Sequence, residues 1–105
     1  MKILLAEYAS ALGLGGTHEL EGRAMLSVLA ASFQRAGLDV VYPTSGPAIS
    51  SGRPILIRSE EEFLSVLEGS AEAGLVIAPD GLQPRLFELL EKGMANLGSS
   101  PAAAH

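Results

Sequence analysis

Leu75-Val76-Ile77-Ala78-Pro79 is an unbroken apolar run, opened by Gly74 and closed by Pro79-Asp80-Gly81. A strand with one wet face alternates apolar and polar positions, whereas a strand covered on both faces has no polar positions, as in parallel sheets. This run therefore demands helices above and below the sheet, and the rest of the chain is read for them. Residues 2–8, KILLAEY, form a second short apolar run, followed by a loop over residues 9–18 that holds Gly13, Gly15 and Gly16. From Glu19 onward Leu20, Ala24, Met25, Val28, Leu29 and Phe33 recur at three- and four-residue steps, which predicts a helix with those residues inward and Gly37 as its C-cap.

Val40-Val41-Tyr42 predicts a strand ended by Pro43, and residues 44–53, TSGPAISSGR, read as loop. Residues 54–58 carry three consecutive aliphatics, a short or edge strand. Ser59-Glu60-Glu61-Glu62 then supplies a capping box, so a second helix starts there with Phe63, Val66 and Leu67 inward. Pro84 suits the first turn of a third helix, whose buried stripe is Leu86, Phe87, Leu90 and Met94. The order β-α-β-(β)-α-β-α gives an α/β fold: a Rossmann-like three-layer α/β/α arrangement around a mostly parallel sheet of about four strands. Residues 1–98 are expected to form this one domain. Residues 99–105 form a tail in which Ser99-Ser100-Pro101 looks like a helix start, yet too few residues follow to sustain a helix. The expectation is that the natural polypeptide continues.

Charge and composition remove several functions. Seven basic against twelve acidic residues leave a net charge of −5, and the basic residues are scattered, so no stripe exists to neutralise nucleic-acid phosphates. With no Cys, and with His18 and His105 at opposite ends, zinc sites, disulfides and thiol catalysis lack raw material, and no metal ligands are expected. The apolar runs fall far short of the roughly 20 residues that cross a bilayer. Glu7 comes too early for a secretory h-region, so a cytoplasmic location is expected.

Ligands of open parallel sheets collect beyond the carboxyl ends of the strands, which directs attention to residues 7–18 and 79–83. Gly13-x-Gly15 begins like a dinucleotide fingerprint, but His18 stands at the third glycine and Tyr42-Pro43 replaces the ribose-binding acid, against an NAD site. A phosphoacceptor receiver requires an acidic pair where this chain has Glu7-Tyr8, and a Lys at a strand end that it lacks. The glycine loop could bind an anion at the following helix start, though Glu19 and Glu21 compete for that positive end. His18 reads as a solvent-facing loop residue. Glu7, an acid ending a central strand, needs solvation or a partner, and Arg23 is the candidate.

Glu7-Tyr8 after a short first strand, the glycine loop, Glu21-Gly22-Arg23-Ala24-Met25-Leu26 and Phe33 together resemble the amino-terminal domain of ATP-grasp ligases, most closely the branch that includes tyramine:glutamate ligase. Val76-Ile77-Ala78-Pro79-Asp80 is similar to that family's strand ending in Ala-Pro-Glu, with Asp80 in place of Glu. Asn96-Leu97-Gly98-Ser99-Ser100 is similar to the segment leading to the family's Asp-Lys helix. The resemblance covers essentially the whole chain but only the front part of a complete enzyme. It implies the substrate-side domain of a carboxylate–amine ligase, in which ATP activates a carboxylate as an acyl phosphate that an amine then attacks.

By the same resemblance, ATP and magnesium belong to later ATP-grasp domains and no cofactor to this chain, which would be inactive alone and carry no catalytic residues. Glu7, Gly15, Gly16, Glu21, Arg23 and Asp80 match the motif and are expected to line the cleft for a small-molecule carboxylate or amine. Gly22, in a helix start where it costs about 1 kcal/mol relative to Ala, points to close packing or a close ligand. Surface normally covered by the remaining domains would let copies of the isolated piece pair as a homodimer. The competing readings are a standalone Rossmann-like binding or interaction module, and a subunit docking to a separate catalytic chain through a large exposed apolar patch.

Overall fold

The computed structural model describes residues 1–69, 71–79 and 81–97. Five parallel strands, β1 (Lys2–Glu7), β2 (Asp39–Thr44), β3 (Arg53–Leu56), β4 (Ala73–Ile77) and β5 (Ala95–Asn96), form one sheet in the order β3-β2-β1-β4-β5. Four helices connect them: α1 (Tyr8–Leu12), α2 (Gly16–Arg35), α3 (Glu60–Leu67) and α4 (Gln83–Glu91). The chain belongs to the α/β class with a Rossmann-like α/β/α layering. Both faces of the sheet are covered: Ile3, Leu5, Val40 and Tyr42 pack with Leu26 and Ala30 of α2, while Leu4, Ala6, Val41 and Val76 pack with Phe63, Leu67, Leu86 and Leu90 of α3 and α4. Alternate residues of β1 thus enter opposite cores, which is why that strand has no polar residue between Lys2 and Glu7.

Several local expectations are met by visible chemistry. Gly37 follows α2 with φ +88° and its N–H donates to the Gln34 carbonyl at 2.9 Å, a left-handed stop that a side chain would resist. Ser59 Oγ accepts from the Glu62 N–H at 3.1 Å, while the Glu62 carboxylate reaches back past Ser59 to the Arg58 N–H at 2.6 Å. β4 bears Gly74 where α4 crosses it: a Cβ there would stand 2.6 Å from Leu90 Cδ1 and 3.0 Å from Met94 Sδ. The glycine lets helix and strand approach closely.

Other expectations require correction. Tyr8 opens a helix rather than closing the first strand, residues 9–12 are helix rather than loop, and α2 begins at Gly16 rather than at Glu19. A single turn of helix carries no periodic signal; it forms because the Glu7 carboxylate caps it. The inward face of α2 also differs from the expected one. Gly22, Leu26 and Ala30 are buried and Leu29 and Phe33 half-buried, whereas Leu20, Met25 and Val28 are exposed. Both sides of this helix carry apolar residues at helical spacing, and periodicity groups residues into faces without saying which face turns inward.

Pro43 lies within β2 rather than ending it. The ladder with β1 stops at Val41, so at Pro43 the strand pairs with β3 alone and its missing N–H breaks no bond to β1. β5 adds a two-residue strand beyond the four expected, formed as Ala95 and Asn96 align with Ala73 and Gly74. The tail at residues 99–105 lies outside the described residues.

Candidate functional site

Reversal of winding direction locates the site. The chain builds outward from β1 through β2 to β3, then returns to lay β4 on the other side of β1, so the carboxyl ends of β1 and β4 part at a topological switch point. Glu7 ends β1 there, buried although it is an acid. Its Oε1 accepts from the Ser10 N–H at 2.7 Å, and the Ser10 hydroxyl donates to the Glu7 carbonyl at 3.4 Å. The carboxylate therefore caps α1 and satisfies an otherwise orphaned amide.

Gly22 explains how a carboxylate fits in that place. A Cβ on Gly22 would overlap Glu7 Oε1 and Cδ and stand 2.6 Å from Oε2, so α2 can pass over Glu7 only where it has no side chain. The cost of a helical glycine is incurred for contact with the acid that ends β1.

The start of α2 is shaped by Gly15 and Gly16, whose φ angles of +82° and +66° suit glycine. No side chain caps this helix from Gly15. Instead Glu19, within the first turn, accepts from the Gly15 N–H at 2.9 Å and from Arg23 Nη2 at 3.0 Å. Arg23 also donates through Nη1 to the Pro47 carbonyl at 2.8 Å, tying α2 to the loop after β2. The Arg23 hydrogen bond, followed by that from Gly15, holds the Glu19 carboxyl below its ordinary range. The helix start thus carries its own anion, and a phosphate docking there would have to displace it.

Between these elements lies a cleft of about 330 Å³, lined by Glu7 and Ala9, by Leu14, by Ile77-Ala78-Pro79 of the β4 end, and by His18, Glu21, Gly22 and Met25 of α2. No protein family, curated protein or solved structure matches the chain. The cleft is therefore read from its own chemistry. Its walls are mostly apolar, two carboxylates line it, and no Lys or Arg is among its lining residues. A second hollow of about 210 Å³, beside Lys2, Ile55 and Val66, opens toward the amino end of the sheet, away from the switch point.

Of the residues expected at the site, Glu7 and Glu21 line the cleft. Gly15 and Gly16 shape the approach to α2 and do not line it. Arg23 points elsewhere, and its ion pair is with Glu19 rather than with Glu7 as expected from sequence: a four-residue step along a helix brings two side chains together more readily than helix and strand end do. Asp80 lies outside the described residues. His18, read from sequence as a loop residue, sits in the first turn of α2 and lines the cleft, because the helix starts earlier than periodicity indicates. Leu14 and Met25 were missed as lining residues; the one sequence signal near them was Gly22, whose presence in a helix called for a close neighbour.

Tyr8 fixes the far side of the Glu7 corner. Its hydroxyl donates to Glu60 Oε2 at 2.6 Å and its ring meets Phe63 edge-on at 5.4 Å, so α1 is clamped to α3. The bond to Glu60, then burial, then the Glu60 charge raise the Tyr8 pKa.

Proposed function

We propose that this chain is the substrate-side amino-terminal domain of an ATP-grasp carboxylate–amine ligase and that the switch-point cleft receives the amine. The observation that carries the amine assignment is the pairing of two carboxylates, Glu7 and Glu21, with an apolar wall of Leu14, Met25 and Ile77. A primary ammonium on an apolar body matches both parts, since opposite charge and apolar contact are satisfied together. A carboxylate ligand would meet two like charges, and Arg23, the guanidinium of the motif, is engaged by Glu19 and the Pro47 carbonyl.

Magnesium-bound ATP does not fit the described residues. The glycine-loop helix start holds the Glu19 carboxylate where a phosphate would dock, and no group of three or more His, Cys, Asp or Glu among the described residues is arranged to hold a metal ion. In this reading activation of the carboxylate by ATP belongs to the later ATP-grasp domains that the resemblance implies. Among the described residues no helix is long and apolar enough to cross a membrane.

Calorimetry tests this reading. The 105-residue chain is titrated with Mg-ATP, with a panel of apolar primary amines and with the matching carboxylic acids, alongside the polypeptide extended to its natural stop. The expected result is amine binding by the short chain, weakened about tenfold by Glu21→Gln, as removal of one charge-assisted hydrogen bond worth about 1.5 kcal/mol would give. Mg-ATP should bind only to the extended polypeptide. Tight Mg-ATP binding by these 105 residues, or preference for the acids over the amines, would overturn the reading.

A further inference from the structure

α2 carries two apolar faces, and the sheet uses one. Gly22, Leu26 and Ala30 lie against β1 and β2. The opposite face presents Leu20, Ala24 and Val28 one turn apart, with Leu20 71% and Val28 68% exposed. The same face has one acid near its amino end, Glu21, and one base near its carboxyl end, Arg35, seven residues to either side of Val28. The ion pairs among the described residues are Arg23–Glu19, Arg53–Asp39 and Lys92–Glu68; Glu21 and Arg35 have no ion-pair partner among them.

We infer that this face binds a second copy of the chain, with the two α2 helices antiparallel about a two-fold axis through Val28. A two-fold interface must be self-complementary, with residue i meeting j where j meets i. About Val28 that operation sets Glu21 of each copy opposite Arg35 of the other, twice. It also sets Met25 opposite Ala31 and Leu20 opposite Ala36, just past the end of α2, so that large side chains face small ones, and it pairs the small residues Ala24 and Ser32, where the helices can approach closely. A parallel pairing would instead place Glu21 on Glu21 and Arg35 on Arg35. Charge complementarity thus chooses both the partner and its orientation. Glu21 stands at the border between this seam and the cleft, and its two carboxylate oxygens are enough for both.

The test reads association with no ligand present, so its outcome is separate from that of the amine reading. Sedimentation equilibrium is run on the wild-type chain, on Glu21→Arg, on Arg35→Glu, on the double variant, and on an equimolar mixture of the two single variants. Circular dichroism checks helix content throughout, since the single changes also oppose the α2 dipole. The wild type is expected to dimerise in a concentration-dependent way, and each single variant to weaken the dimer at least tenfold. The double variant and the mixture restore it, because both reunite Arg with Glu across the axis. Val28→Glu, placed mid-helix away from both charges, abolishes the dimer without loss of helix. A wild-type chain that stays monomeric at high concentration overturns the inference, as does a dimer indifferent to Val28→Glu or not restored in the mixture.

Discussion

Replacing Gly22 by Ala would ordinarily stabilise a helix, by about 1 kcal/mol on intrinsic propensity. Here the sign should reverse. The new methyl would overlap the Glu7 carboxylate, which is buried and holds the Ser10 amide at 2.7 Å, so neither group can move freely. Overpacking of this kind costs about 1–3 kcal/mol, and displacing the carboxylate also forfeits the cap on α1, a further ~1 kcal/mol. Set against the propensity gain, Gly22→Ala should destabilise the chain by about 1–3 kcal/mol; at 2 kcal/mol this is a loss of roughly 10 °C in Tm for a domain of this size.

The decisive comparison is made in Glu7→Ala, where the obstacle is gone and the cap already lost. There the same Gly22→Ala change should stabilise, by about the full 1 kcal/mol of helix propensity. Urea unfolding followed by circular dichroism measures all four chains, with equal m-values confirming that midpoints report stability. The resulting coupling between the two positions should exceed 1 kcal/mol, beyond the few tenths expected of independent sites. If Gly22→Ala stabilises the wild-type background as well, Glu7 does not lie under α2 and the geometry assigned to the cleft corner is wrong.

Gly74→Ala should cost about 1–3 kcal/mol, because its Cβ would press on Leu90 Cδ1, a side chain with no free space to yield into; Leu90→Val in the same chain should recover part of the loss in thermal melts. Acid stability should depend on Arg23. Since the folded-state pKa of Glu19 is lowered, its stabilising contribution is complete above the ordinary carboxylate range and is lost as pH falls through the lowered value. Urea midpoints taken down the acid limb should therefore fall less steeply in Arg23→Gln than in wild type, and parallel profiles would refute the assignment.

Much of the architecture was legible because it rests on short-range chemistry. Continuous apolar runs announced strands covered on both faces, Ser59 and Glu62 announced the start of α3, Pro84 that of α4, and Gly37 the stop of α2. Glu7 and Glu21, which the resemblance places at a substrate cleft, both line the hollow beyond the carboxyl ends of β1 and β4. Other features depend on contacts between distant residues and leave no local mark. α1 exists because a carboxylate at the end of β1 caps it, and β5 because two residues after α4 find the edge of β4.

The inward face of α2 is the clearest case. Its apolar spacing was plain in the sequence, but Leu20-Ala24-Val28 and Gly22-Leu26-Ala30 satisfy helical periodicity equally well. What separated them was the Glu7 carboxylate beneath the helix, which admits a glycine and excludes any side chain. Sequence determined that the helix would form and carry apolar stripes, since those follow from hydrogen bonds and steps of a few residues. Only the tertiary structure decided which stripe met the sheet and which was left exposed, because that choice depends on the shape of a strand end nine residues before the helix begins.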